Sequence, residues 1–317
     1  MKVIDVLNNS KQPFFTIELL PPLKGKNIES LYSILDPLME FKPPFINVTY
    51  HSSEYIYKER ENGLIEKVSI RKRPGTVGIC VSIMHRYKVD AVAHLICGGF
   101  TKNETEDALI DLHYLGVKNI LILRGDPPVN EKEFNPEING HSYSIDLLKQ
   151  ITNLNKGIYL EDDIKDGFST DFCTGVAGYP EKHFEAPNLS ADLNNLKNKV
   201  DAGSDYCVTQ MFFSNKKYFD FVESCRKKGI NIPIIPGLKP ITLKKQVTKL
   251  PSTFHVDIPE DLFNAIDKCK DDAEATKIGI EWTINQGREL LKAGVPCLHF
   301  FTMSNPKPII EIVKALF

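Results

Sequence analysis

No apolar run among the 317 residues approaches the length that spans a bilayer, and the first twelve show neither a long apolar core nor a small-residue cleavage site. The chain is therefore expected to be soluble and cytoplasmic, with no membrane partner. Charge of one sign is also missing. Thirty-nine basic residues face 41 acidic ones, a formal net charge of −2, so the surface at large would attract neither nucleic acid nor an anionic membrane. The seven cysteines contain no C-x-x-C pair, and several lie inside apolar runs; they read as reduced core residues of an intracellular protein. Eight histidines are scattered without a ligand-like pair, which points away from a metal site. The Gly-x-Gly-x-x-Gly fingerprint and the P-loop are absent too, so any nucleotide must be held by another device.

What the sequence does have is a repeated unit of pattern without a repeated unit of sequence. Ile120-Leu-Ile-Leu123 is a run suited to a strand buried on both faces, and it ends abruptly in Arg124-Gly125-Asp126. Other strands end in the same way. The strand over 14–20 alternates Phe15, Ile17 and Leu19 with Thr16, Glu18 and Leu20, and a carboxylate at Glu18 suits a polar cavity better than a packed face. Strands over 45–50 and 91–97 carry Thr49 and His94, those over 172–179 and 206–210 end in Tyr179 and Gln210, and two more are expected over 233–237 and 297–302. Helical spacing connects them over 28–40, 75–87, 142–153, 189–202, 216–228, 244–250 and 307–316, with one through Ala108, Leu112 and Leu115 and an interrupted one over 259–293. The charged segment 51–74 reads as a solvated loop. On the helix over 189–202, Asp192, Asn195 and Lys199 form a polar stripe that, by spacing alone, is a solvated face.

Eight buried strands alternating with helices predict right-handed crossovers and a parallel sheet, and the number eight favours closure into a (β/α)8 TIM barrel occupying 1–317 as one domain. Functional groups in such barrels gather at the C-terminal ends of the strands, so Glu18, Thr49, His94, Arg124, Asp126, Tyr179 and Gln210 should meet at one mouth.

Six segments, in order and at compatible spacings, resemble methylenetetrahydrofolate reductases: Phe15-Thr-Ile-Glu-Leu-Leu-Pro-Pro22, Asn47-Val-Thr-Tyr50, Ala93-His-Leu95, Leu123-Arg-Gly-Asp126, Ala177-Gly-Tyr-Pro-Glu-Lys-His183 and Val208-Thr-Gln-Met-Phe-Phe213. The length resembles the single-domain bacterial form. The resemblance implies an FAD enzyme that takes electrons from NADH or NADPH, reduces 5,10-methylenetetrahydrofolate to 5-methyltetrahydrofolate, and assembles as a homo-oligomer. It further implies Glu18 as proton donor and Asp126 as an acid beside flavin and pterin. Gln210 and Gln246 match substrate-contacting amides. Thr49, Tyr50, His94, Leu123, Arg124, Gly125, Asp126, Tyr179, His183, Ala186, Asp192, Asn195 and Lys199 match FAD contacts, which replaces the solvated-face reading of the polar stripe. Two positions depart from the pattern. Thr302-Met-Ser-Asn305 lacks the arginine with which many relatives end the eighth strand, leaving Lys307 as a nearby cation, and Leu250 stands where some relatives have phenylalanine.

Overall fold

The computed structural model describes residues 1–51, 54–127, 133–303 and 305–317. The chain starts with a short helix, α1 (Val3–Asn9), then strand β1 (Phe14–Leu19), helix α2 (Glu29–Met39) and strand β2 (Phe45–Val48). A hairpin of β3 (Glu54–Glu59) and β4 (Ile65–Ile70) interrupts the alternation, which resumes with α3 (Thr76–Tyr87), β5 (Asp90–Ile96), α4 (Lys102–Tyr114), β6 (Asn119–Leu123), α5 (Ser144–Leu154) and β7 (Cys173–Gly178). It continues through α6 (Leu189–Asp201), β8 (Tyr206–Met211), α7 (Asn215–Lys227), β9 (Ile234–Leu238), α8 (Gln246–Phe254), α9 (Glu260–Asp267), α10 (Asp272–Lys292), β10 (Cys297–Met303) and α11 (Lys307–Leu316).

Eight of the strands close into a parallel barrel in the order β1-β10-β9-β8-β7-β6-β5-β2, as the run pattern predicts. Alternation divides each strand between two environments. In β1, Phe15, Ile17 and Leu19 join the apolar layer under the helices, while Thr16 and Glu18 turn inward, paired in register with His299 and Phe301 of β10. Sequence sets the helix starts as well. Thr101 and Glu104 form a reciprocal capping box on α4, Asn188 caps α6 through the Ala191 amide, and Asp271 caps α10 through Glu274, which separates it from α9.

Two elements differ from the expectation of plain connections. The 51–74 segment holds the β3–β4 hairpin, turned at Asn62-Gly63, where the Asn62 side chain accepts from the Leu64 amide and Gly63 takes a φ of 75°; Asn-Gly between two β-rich runs supplies the positive φ a tight turn needs. Lys72 pairs with Glu54 within the segment, and two more of its charges fold back onto the body: Arg73 donates to the Pro21 carbonyl and Arg71 lies over the Tyr50 ring. The other is α1, seven residues long and too short to show a period. Its Val3 and Leu7 close the lower end of the barrel by packing with Phe45, Val92, Cys173, Tyr206, Ile235 and Cys297. Asn119 fastens it, accepting from the Val3 amide and donating to the Met1 carbonyl.

The barrel interior is packed closely around Tyr206. A Cβ at Gly175 would stand 2.3 Å from Cζ of its ring, so the glycine is the space the ring occupies. All seven cysteines are buried and unbridged. No helix is long and apolar enough to cross a membrane among the described residues.

Candidate active site

Above the apolar floor the barrel turns polar on one side. Thr16 donates its hydroxyl proton to the Phe45 carbonyl and accepts from Asn47 Nδ2. That leaves Asn47 Oδ1 to accept from His94 Nε2, 3.4 Å away, so the tautomer of His94 is fixed from below. Glu18 stands over this column with 14% of its side chain exposed, its Oε2 3.9 Å from His94 Nε2 and 3.6 Å from His299 Nε2.

From that floor opens a cavity of about 1030 Å³ at the C-terminal ends of the strands, large for a small-molecule site. Its wall brings together Glu18, Thr49, Tyr50 and His94, then Leu123, Arg124, Gly125 and Asp126 after β6, and Tyr179, His183, Gln210 and Gln246 from later in the chain. The convergence expected from strand ends is therefore present. Gly125, with a φ of 89°, turns the chain where a Cβ would press on Ile96 at 3.2 Å. Gln210 accepts from the Met211 amide, and Gln246 Oε1 ties down the approach to α8 by accepting from the Thr242 and Leu243 amides.

Four residues implied by the resemblance lie off the cavity wall. Asp192 is buried and accepts from the His183 amide at 3.0 Å, and Lys199 donates to the Ala177 carbonyl at 2.9 Å. Ala186 is buried, its carbonyl accepting from Lys182 Nζ, and Asn195 is exposed on α6. The polar stripe is thus neither a solvated face nor a row of cavity contacts: Asp192 braces the 179–186 turn from behind and Lys199 braces the end of β7 that leads into it. Leu250 and Asn305 line the cavity, whereas Lys307, the first residue of α11, does not.

Burial works against charge on Glu18, yet His299, His94 and Lys239 outweigh it and hold the carboxyl below its usual range. Burial takes His94 down to about 4 against the pull of Glu18, leaving a neutral ring at pH 7. Burial likewise lowers Lys239, opposed by Glu18. His51 and His183 are lowered by burial, then by Arg73 and Arg124 respectively. Arg124 is raised by its fork onto Glu185, with contacts of 2.5 and 2.7 Å.

Sequence reasoning missed His299 and Lys239. The signal existed for the first: in Cys297-Leu-His-Phe-Phe301 alternation turns residue 299 inward, by the argument that singled out Glu18. Lys239 follows β9 and lines the cavity, with no ion-pair partner within 4 Å among the described residues.

A model of the methylenetetrahydrofolate reductase family matches residues 2–317. The chain belongs to that family. Among methylenetetrahydrofolate reductases, it is 32% identical to the 5,10-methylenetetrahydrofolate reductase of Escherichia coli over 303 residues, covering 95% of this chain and 90% of that one. It is 30% identical to methylenetetrahydrofolate reductase 1 of Schizosaccharomyces pombe over 321 residues, all of this chain but 48% of that protein. The chain thus spans about half the length of the fungal relatives it matches. In structure it is similar to a Clostridium thermocellum protein that binds two copies of 5-methyl-5,6,7,8-tetrahydrofolic acid, with a TM-score of 0.59 over 98% of this chain and 96% of that one. At 14% identity that likeness concerns the barrel fold.

Proposed function

We propose that residues 1–317 form one catalytic domain that reduces 5,10-methylenetetrahydrofolate to 5-methyltetrahydrofolate with NADH or NADPH, using FAD. The observation that carries this reading is Glu18, a carboxylate on the inner face of a buried strand, opening into the same cavity as Arg124-Gly125-Asp126. The wall suits a flavin dinucleotide in size and in donors: the Arg124 fork, held here by the partly exposed Glu185, can turn to a ligand anion, and the hydroxyl of Tyr50, buried without a partner among the described residues, needs a polar atom that a ligand can supply. When bound, FAD supplies two-electron chemistry, accepting a hydride from the nicotinamide and giving one to the folate methylene carbon.

The remaining work belongs to the chain. Glu18 protonates the folate nitrogen that leaves as the five-membered ring opens to an electrophilic iminium. Asp126, exposed at the rim, orients the pterin, and Gln210 offers an amide that can bond whichever partner occupies the pocket. Gln246 contacts the folate from the start of α8. Arg124 and His183 hold the diphosphate; Asp192 keeps the His183 backbone in place and Lys199 ties down the end of β7 at Ala177. Seven buried, unbridged cysteines agree with a reducing cytoplasm, and a homo-oligomer is part of the same reading.

The test is the visible spectrum of the purified protein before and after anaerobic NADH or NADPH, then after methylenetetrahydrofolate. Flavin bands that bleach with a nicotinamide and return with the folate are expected. A colourless protein that stays inactive with added FAD would overturn the flavin assignment, and bands that nicotinamides cannot bleach would replace them by a protein electron donor.

A further inference from the structure

His299 is fully buried, and neither of its ring nitrogens has a hydrogen-bond partner among the described residues. Leaving a buried polar atom unsatisfied is destabilising, so an imidazole kept here calls for a reason. Its Nε2 faces Glu18 Oε2 at 3.6 Å, longer than a hydrogen bond but within the range that closes up when a site fills. The edge-on ring of Phe301, 5.1 Å away, walls it on one side. His94 cannot play the same part, because its Nε2 proton is committed to Asn47, which is committed in turn to Thr16.

The other charged groups that face this pair are known. Lys239 stands above β9, His94 below on β5, and His51 at the end of β2. His299 and Lys239 favour a carboxylate on Glu18 in the resting pocket, against its burial. The reaction proposed above needs a carboxylic acid at that position while ligands fill the cavity into which Glu18 opens.

We propose, resting on that reading of the reaction, that His299 stores a proton and returns it to Glu18 during turnover, so that the acid of this site is a carboxyl–imidazole pair. In the transfer an N–H bond at His299 Nε2 breaks and an O–H bond forms at Glu18 Oε2. Glu18 then passes that proton to the departing folate nitrogen. One solvent proton, entering by the mouth once the product has gone, restores the pair. Nothing is oxidised or reduced in this exchange; the hydride from the nicotinamide accounts for the reduction. His299 is thus a positioning residue, acting through Glu18 and touching no ligand.

The test is His299→Gln, which keeps an N–H donor near Glu18 but cannot carry a proton. In the cofactor-free protein, isotope-edited infrared titration of the Glu18 carboxyl, with Glu18→Gln as the blank, should show in the wild type a coupled step that disappears in the variant, while the coupling to His94 near pH 4 stays in both. In the FAD-loaded protein, folate-driven flavin reoxidation should slow on the order of ten- to a hundredfold at neutral pH. Its rate should also begin to fall at a lower pH than in the wild type, while the folate KM stays within about twofold. A variant with the wild-type pH profile, whatever its rate, refutes the proposal, and so does a Glu18 titration that the substitution leaves unchanged. If the wild type shows no folate-driven reoxidation, the reading of the reaction fails, and the titration still decides whether the pair shares a proton. Should His299→Gln not fold, His299→Asn is read in the same two ways, and a wild-type titration with no coupled step beyond the one near pH 4 refutes the proposal without a variant.

Discussion

Replacing His94 by Gln should flatten the acid side of the stability profile. The ring is 2% exposed and titrates at about 4 in the fold, against 6.5 for an unperturbed histidine. Because the folded value is depressed, the neutral ring's contribution is complete above pH 6.5, declines as pH falls, and is fully lost once the pH has passed below about 4. Between those limits the unfolded chain binds a proton that the fold refuses. Integrating the linkage gives a loss of about 2 kcal/mol at pH 5 and almost none at pH 7. Glutamine is uncharged throughout and offers an N–H to Asn47 at similar reach. Urea unfolding of the cofactor-free protein at pH 7 and pH 5 should therefore show the wild type losing about 2 kcal/mol more than His94→Gln over that interval. His51 and His183 titrate in both proteins and cancel, and the loss carried by Glu18 comes lower, below 4.5. Equal losses in the two proteins would refute the buried, neutral assignment of His94.

Glu18→Gln should leave FAD bound and reducible by nicotinamide while folate-driven reoxidation falls about 10²- to 10⁴-fold; comparable reoxidation in stopped-flow traces would remove Glu18 as proton donor. Arg124→Gln should weaken FAD binding roughly ten- to a hundredfold, the range of a lost charged hydrogen bond, yet scarcely shift the cofactor-free melting temperature, since its partner Glu185 is 39% exposed. Fluorescence titration with FAD separates the two effects, and unchanged affinity would take Arg124 out of the diphosphate site. Gly175→Ala should destabilise the fold by about 1–3 kcal/mol through overpacking, and Tyr206→Leu in the same chain should restore part of it. A neutral Gly175→Ala would mean that the ring of Tyr206 has room to move.

Much of this is legible in the sequence. Buried runs with alternating partners define eight strands, and the inward residue of each last turn gives the cavity wall. The parts that stayed hidden share a cause, which is dependence on groups distant in sequence. Nothing local tells Lys199 to bond the Ala177 carbonyl instead of a ligand, nor Asp192 to hold the His183 amide. The seven residues of α1 gain their stability from the barrel floor, not from any period of their own. The hairpin at Asn62-Gly63 is different, because its turn signal was local and was outweighed by the surrounding charge. The carboxyl of Glu18 shows the limit most clearly: its strand predicts where it points, but His299, 281 positions away, helps decide whether it holds a proton.

The helix under the barrel has one more consequence, and it concerns traffic. By backing the packed floor around Tyr206, α1 helps make the barrel a cup closed from below, so whatever enters the cavity leaves by the same rim. Two large reactants that need the same floor must then take turns, each vacating before the other arrives. Initial-rate plots at several fixed concentrations of the second reactant should give parallel lines, and an excess of either should slow the other by queueing at a single door.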